Sequence, residues 1–402
     1  LTSRPVRRIV REPDRRGRRL PGAGGMNGQE GSGSLRTAYP AAAAVVLSAA
    51  LLIWAGFADP LCNWDLVGYT ACALELRGTP DSSIREETFG LLERSVPPVA
   101  YQDLTSSTPV RIARATDDES LLQHLPFYRI RFVYVALLAG LSGIGLNPLQ
   151  AASAISTAAA LAALLLLLRL VPGARTPWCA AAVVLGSLGT GLVEVARHAT
   201  PDALGAFFVV ACSAMFLRRR KAMLIMLPLC VTVRTDLLLF VLPLHAYAFA
   251  RLPFSRIPTA LSAASSLALA FLPHLAGGYG WGTTFEYTFL RQDAYPALLS
   301  GSVTPAAYLS VLRSSVASIP HSETWVFLFV AVLVLGMSAK PNPGAGTLVS
   351  DARFVLAAAG LSALIHFLVF PAAWPRFFAG HFATALSLTA FLCLDRTRLQ
   401  GG

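Results

Sequence analysis

Asn63-Trp64-Asp65-Leu66-Val67-Gly68-Tyr69 is a polar island just past the first apolar run, at the head of a long first loop over 58–148. An acid placed where an apolar segment meets water is costly, and such acids are usually functional. Most of the remaining sequence is apolar with short connections, so chemistry is expected in this loop.

Hydrophobic residues make up 54% of the 402 and charged residues 14%, with a mean hydropathy of +0.57. A soluble domain does not hide that much apolar surface, so an all-α polytopic integral membrane protein is expected. The net charge of +11 does not indicate nucleic acid, because much of it sits in the first 25 residues, where eight arginines face only Glu12 and Asp14. Residues 1–37, rich in Arg, Pro and Gly and without an apolar run, are expected to be a disordered basic leader and not a signal peptide. Met26 marks an expected native start, with 1–25 as an extension. The other reading is a basic tail held near anionic lipid headgroups. The six cysteines form no metal-ligand pattern, and Cys62 and Cys72 are spaced too far apart for an easy disulfide. No GxGxxG, P-loop or HExxH motif and no internal repeat is present.

Apolar runs fall near 38–57, 149–168, 177–193, 201–217, 222–236, 237–250, 258–276, 325–339, 354–371 and 377–394. Several are shorter than the roughly 20 residues a bilayer needs, so they recruit flanking residues or line a cavity. The glycine-interrupted stretch 132–146 is decided by charge. If it does not cross, Arg169 with Arg175, the Arg218-Arg219-Arg220-Lys221 cluster, Arg251 with Arg256, Lys340 with Arg353, and Arg396 with Arg398 all lie in the cytoplasm. About ten transmembrane helices with both termini cytoplasmic follow. Segment 132–146 becomes an interfacial helix of the first outer loop, and 277–324 a later outer loop. Asp65, Glu75, Arg129, Arg131, Glu194, Arg197, His198, Asp202, Arg234, Asp236, Glu286, Arg291, Asp293, His321, Glu323, Arg376 and His381 then share the outer ends of the spans, which predicts an outward-facing polar cavity.

This layout resembles the GT-C glycosyltransferases, in particular the protein mannosyltransferase and aminoarabinose transferase branch, over most of 38–250. The likeness rests on an acid soon after the first span (Asp65) and a Pro/Tyr-rich step into an interfacial helix (His124-Leu125-Pro126-Phe127-Tyr128-Arg129). It rests further on a Pro-Asp step opening a span (Ala199-Thr200-Pro201-Asp202-Ala203-Leu204) and a short span ending in a basic residue (Val233-Arg234-Thr235-Asp236). The resemblance implies transfer of a sugar from a polyprenyl-phosphate donor to a lipid, glycan or protein acceptor at the outer face, among membrane lipids and without nucleic acid. Many relatives carry adjacent acids in the first loop, whereas Leu66 follows Asp65 here. No metal-ligating residue is assigned, and a divalent cation is left open.

Asp65 is the expected catalytic base, since a partly desolvated carboxylate is suited to take a proton from an acceptor hydroxyl. It also reads as a helix N-cap. Trp64 and Tyr69 are expected as wall residues stacking on sugar, or as interfacial anchors. Glu75 is expected to be solvated. Arg197, Arg234 and Arg376 run against the positive-inside bias and suit a lipid phosphate, although Arg234 with Asp236, and Arg197 with Glu194 or Asp202, are obvious ion pairs. His198 reads as an acid, a phosphate donor or a structural hydrogen-bonder, and Asp202 as a first-turn acid of its helix to which the family-like Pro-Asp step lends a functional role. With Asp236 they are counted among the expected substrate-binding residues. The cluster at 218–221 reads as topogenic. Two rival classes are kept: a transporter or lipid flippase, and a non-catalytic carrier-lipid-binding scaffold of envelope biogenesis. Short loops and high Ala/Arg content point to a bacterial plasma membrane.

Overall fold

In the computed structural model, which describes residues 33–170, 177–275, 277–340 and 346–394, each of the ten apolar runs is a helix or a broken helix. There is no strand among the described residues, only an isolated bridge between Leu61 and His198. The expected start at Met26 and most of the expected leader lie outside the described residues. The first helix already begins at Gly33, ahead of the boundary expected at 38. Once a helix is nucleated on an apolar run, each further residue adds a hydrogen bond at little cost, so it propagates through Gly33–Thr37.

Four helices are long and apolar enough to cross a bilayer: Pro148–Leu170, Arg256–Leu275, Gly346–Val369 and Pro375–Cys393. Two bent pairs raise the number to six if each counts as one span, namely Asp118–Arg129 with Phe132–Gly143 (114°) and Pro305–Ser322 with Trp325–Ser338 (88°). Ala42–Ala58, Asp202–Leu217 and Met223–Val233 are shorter apolar helices. These are the features of a membrane-embedded helical protein. The first bend falls at Ile130-Arg131, just before the stretch that charge distribution assigns to an interfacial helix.

Asp202–Leu217 lies at the centre, packed against Pro148–Leu170 and Pro375–Leu394. A small residue sets the second contact. A Cβ on Gly380 would lie 2.6 Å from the Cα of Ala206, so glycine lets the two backbones approach. Arg376, one turn before Gly380, is thereby brought over the start of the Asp202 helix.

The opposite end of the bundle is tied by ions. Buried Asp351 accepts from Arg219 Nη2 at 3.0 Å and from the Tyr247 hydroxyl at 2.6 Å, and Arg218 donates to the Arg169 carbonyl at 2.8 Å. The cluster read as topogenic therefore also has a packing role. Arg219 turns the chain with a φ of 51°, a conformation costly for a side-chain-bearing residue and held here by its carboxylate partner. Asp351→Ala strands the Tyr247 hydroxyl and is expected to cost about 2 kcal/mol. A lowered unfolding midpoint in detergent checks this, and an unchanged midpoint would show that the tie is idle.

Candidate active site

The first loop folds into seven short helices from Asp65–Leu76 to Phe132–Gly143. Proline opens several of them, and Thr108 and Asp117 cap two by accepting from Arg111 N and Glu119 N. The Asp65–Leu76 helix is the anchor, with Leu66 through Leu74 buried without a break. Gly68 is required there, because a Cβ would lie 2.2 Å from the Tyr128 ring. The Tyr69 ring meets Tyr128 and Tyr134 edge-on at 5.0 and 4.8 Å and is 3% exposed. Tyr69 is thus part of the core under the site and does not form the sugar-facing wall expected of it.

Asp65 is the first residue of this helix. Trp64 occupies the N-cap position, and the Asp65 carboxylate caps nothing. Its Oδ2 accepts from Asn63 Nδ2 at 2.9 Å and lies 3.5 Å from Arg376 Nη1, while no hydrogen bond to Oδ1 is present among the described residues. The Asp65 side chain is 16% exposed, which leaves one oxygen for a ligand. Arg376 reaches on to Asp202 Oδ2 at 3.7 Å, and its guanidinium lies over the Trp374 and Phe377 rings at 5.1 and 5.2 Å.

A tighter pin lies behind it. Arg234 donates to both oxygens of Asp236 at 3.2 and 2.9 Å, bonds Asp202 through Nη1, and faces Phe377 at 4.6 Å. Asp202 also accepts from the Thr200 hydroxyl at 2.7 Å, and His366 Nδ1 lies 3.1 Å from Asp236. Asp65, Asp202, Arg234 with Asp236, and Arg376, drawn from four segments of sequence, thus form one chain of charges at one end of the bundle. Arg234 and Asp202 are nearly sealed, with side chains 7% and 5% exposed. Arg234 gives three of its five N–H groups to two carboxylates and is a structural pin of the site.

Arg197 and His198 stand apart from this chain. Arg197 pairs with the Asp59 carboxylate and donates to the Asp59 carbonyl at 2.9 Å, instead of with Glu194 or Asp202 as expected. Its backbone carbonyl receives Leu61 N at 2.8 Å, so the Leu61–His198 bridge brings Asp59 within reach, a proximity with no local signal. His198 sits 3.7 Å from Glu194, and its carbonyl accepts from Ser156. Beside them is a cavity of about 590 Å³ lined by Leu61, Leu188, Val193, Arg197, Trp325 and Phe382. Glu75, expected to be solvated, instead pairs with Arg129 (Nε to Oε2, 2.8 Å) at the far end of its helix. Glu323 accepts from Trp325 Nε1 at 2.9 Å, and His321 is exposed. Cys62 and Cys72 are both free thiols.

Trp64 forms the other flank. It stacks toward Tyr287 at 6.1 Å, Tyr287 contacts Phe127 at 4.9 Å, and Phe127 contacts Tyr279 at 4.6 Å. Tyr287 shares a hydrogen bond of 3.1 Å with His124. These aromatics come from both loops, which dock through Ser120 to the Ala294 carbonyl (2.7 Å) and Tyr295 to Asp117 (2.6 Å). The Tyr295 hydroxyl holds the Asp117 carboxyl below its usual pKa. A carboxylate depressed in the folded state contributes stability that is present above its unfolded pKa of about 3.9 and is lost as pH falls through the lower folded value. Loop docking is therefore expected to loosen below about pH 4. Hydrogen exchange over 292–298 should rise there in the native protein. In Tyr295→Phe it should be raised at all pH values, and a flat native profile would sink the assignment.

Sequence reasoning passed over His366 and Arg114. A histidine inside an apolar run is itself a signal, because it is costly there without a partner. Arg114 was legible only as sharing a helix face with apolar Val110, four residues earlier, and both are buried. Among the described residues no group of three or more His, Cys, Asp or Glu converges as a metal site requires. Comparison of the chain with family models, curated proteins and solved structures finds no match.

Proposed function

We propose that this chain is a membrane glycosyltransferase of the GT-C type. It moves a sugar from a polyprenyl-phosphate donor to an acceptor hydroxyl at the outer face of a bacterial plasma membrane. The observation that carries the reading is Asp65, a half-open carboxylate with one oxygen unengaged, steadied by Asn63, set 3.5 Å from Arg376 and adjoining the aromatic flank that begins at Trp64. In this reading all ten helical runs cross, with the bend after Arg129 marking the interfacial helix. The basic turns tied through Arg218, Arg219 and Asp351 face the cytoplasm.

The chemistry is a single displacement. Asp65 takes the acceptor's hydroxyl proton as its oxygen bonds the anomeric carbon. The bond from that carbon to the phosphate oxygen breaks, and the lipid phosphate leaves with the electron pair. Arg376, held by longer contacts than Arg234, is the cation that a departing phosphate recruits. Trp64, Phe127 and Tyr287 offer faces for sugar, and the cavity beside Arg197 suits the first prenyl units. A transporter would place its binding groups near the midplane, whereas these gather at one end. The test is sugar release from a panel of radiolabelled polyprenyl-phosphate sugars by the full chain in lipid. Turnover of one donor supports the reading, and none with any donor removes it.

A further inference from the structure

Arg114 is a buried cation that forms no hydrogen bond or ion pair among the described residues. It is 1% exposed, and its Nε and Nη1 are buried without a hydrogen-bond partner. Its guanidinium lies over the face of Trp64, 5.3 Å from guanidinium carbon to ring centroid. The acids on the surrounding elements are engaged elsewhere. Asp65 is held by Asn63 and Arg376, Asp293 by Arg291 and the Tyr295 amide, Asp117 by Tyr295, and Asp118 by Arg85. A cation–π contact offsets only part of what a guanidinium loses on leaving water. On the residue before Trp64, the buried Oδ1 of Asn63 also has no hydrogen-bond partner among the described residues. Unpaired donors over the Trp64 ring and an unpaired acceptor on its chain neighbour thus occur together at the residues next to Asp65. Natural proteins rarely leave such groups buried without a purpose.

We propose that Arg114 receives an oxyanion of the ligand, a phosphate or carboxylate that arrives by displacing the Trp64 ring, while Asn63 Oδ1 accepts from a ligand hydroxyl. The ligand class is an acidic sugar or a sugar phosphate. The inference takes its location from the site described above and does not require that the ligand be turned over. Arg114 then selects among ligands by charge, and a neutral sugar gains nothing from it.

Binding of inorganic phosphate, undecaprenyl phosphate, glucuronate and neutral glucose to the full chain in nanodiscs tests this, with Arg114→Gln and Arg114→Lys alongside. The native chain should bind at least one of the three anions, and Arg114→Gln should weaken that binding on the order of tenfold to a hundredfold. Arg114→Lys should keep part of it, and glucose should bind all three proteins alike. Weakening confined to undecaprenyl phosphate would assign the oxyanion to the lipid carrier, and weakening confined to glucuronate to an acidic sugar. Removing an unpaired buried charge should also leave the ligand-free protein as stable as before or more so. Equal anion binding by native and Arg114→Gln, no anion binding by either, or a lower unfolding midpoint in Arg114→Gln would each overturn the proposal. Sugar transfer is read separately. Transfer without Arg114-dependent anion binding removes this inference alone, and the reverse removes the glycosyltransferase reading alone.

Discussion

Asp65→Asn is expected to abolish sugar transfer, by 100-fold to 10,000-fold as is typical for loss of a general base, while the fold persists. The amide matches the carboxylate in shape but takes up no proton. Its structural cost is small because the contacts it weakens are few: Asn63 Nδ2 at 2.9 Å and Arg376 at 3.5 Å, in a side chain 16% exposed. Arg376 keeps Asp202 as a partner. An unchanged unfolding midpoint together with lost label release would separate chemistry from folding. Transfer within tenfold of native would mean that the proton goes elsewhere, and Asp65 would become an anchor for Arg376 only. A scaffold would tolerate the change, and a transporter would show altered uptake with no transfer to lose.

Arg234→Ala is expected to cost about 3–5 kcal/mol of stability, because it leaves two carboxylates behind with no compensating cation. Arg234 fills both oxygens of Asp236 and one of Asp202, in a side chain 7% exposed. Arg376 lies 3.7 Å from Asp202 and is shared with Asp65, so it compensates poorly. Lysine should recover part of the loss, since it restores the charge without the planar fork. The measurement is the unfolding midpoint of the Arg234 and Asp202 single variants and of the double variant. A double variant much less destabilised than the sum of the singles would show the coupling. If Arg234→Ala unfolds like the native protein but no longer binds donor, the residue is a phosphate ligand after all and the pin lies elsewhere.

Much of this architecture was legible from local pattern. Apolar runs become helices wherever they fall, because a backbone without water as a partner must bond to itself. Costly acids and bases at the ends of those runs mark the functional end, and Asp65, Asp202, Arg234, Asp236 and Arg376 do converge there. Their partners were not legible. Arg197 turns to Asp59 because a backbone bridge across 137 residues, from Leu61 to His198, sets their distance. Tyr69 goes into the core because Gly68 admits the Tyr128 ring against its helix.

What the sequence determined by itself was class: a helical membrane-embedded chain with ionisable groups gathered at run ends. Both features follow from transfer free energies that act residue by residue. What only the tertiary structure decided was which charges neutralise one another and which are left unpaired. Arg234 and Arg114 are both buried arginines beside aromatic rings, yet one holds two carboxylates and the other none. That difference depends on which helices pack together, since a buried ion pair forms only where packing brings its members into contact, and those members come from segments far apart in the chain.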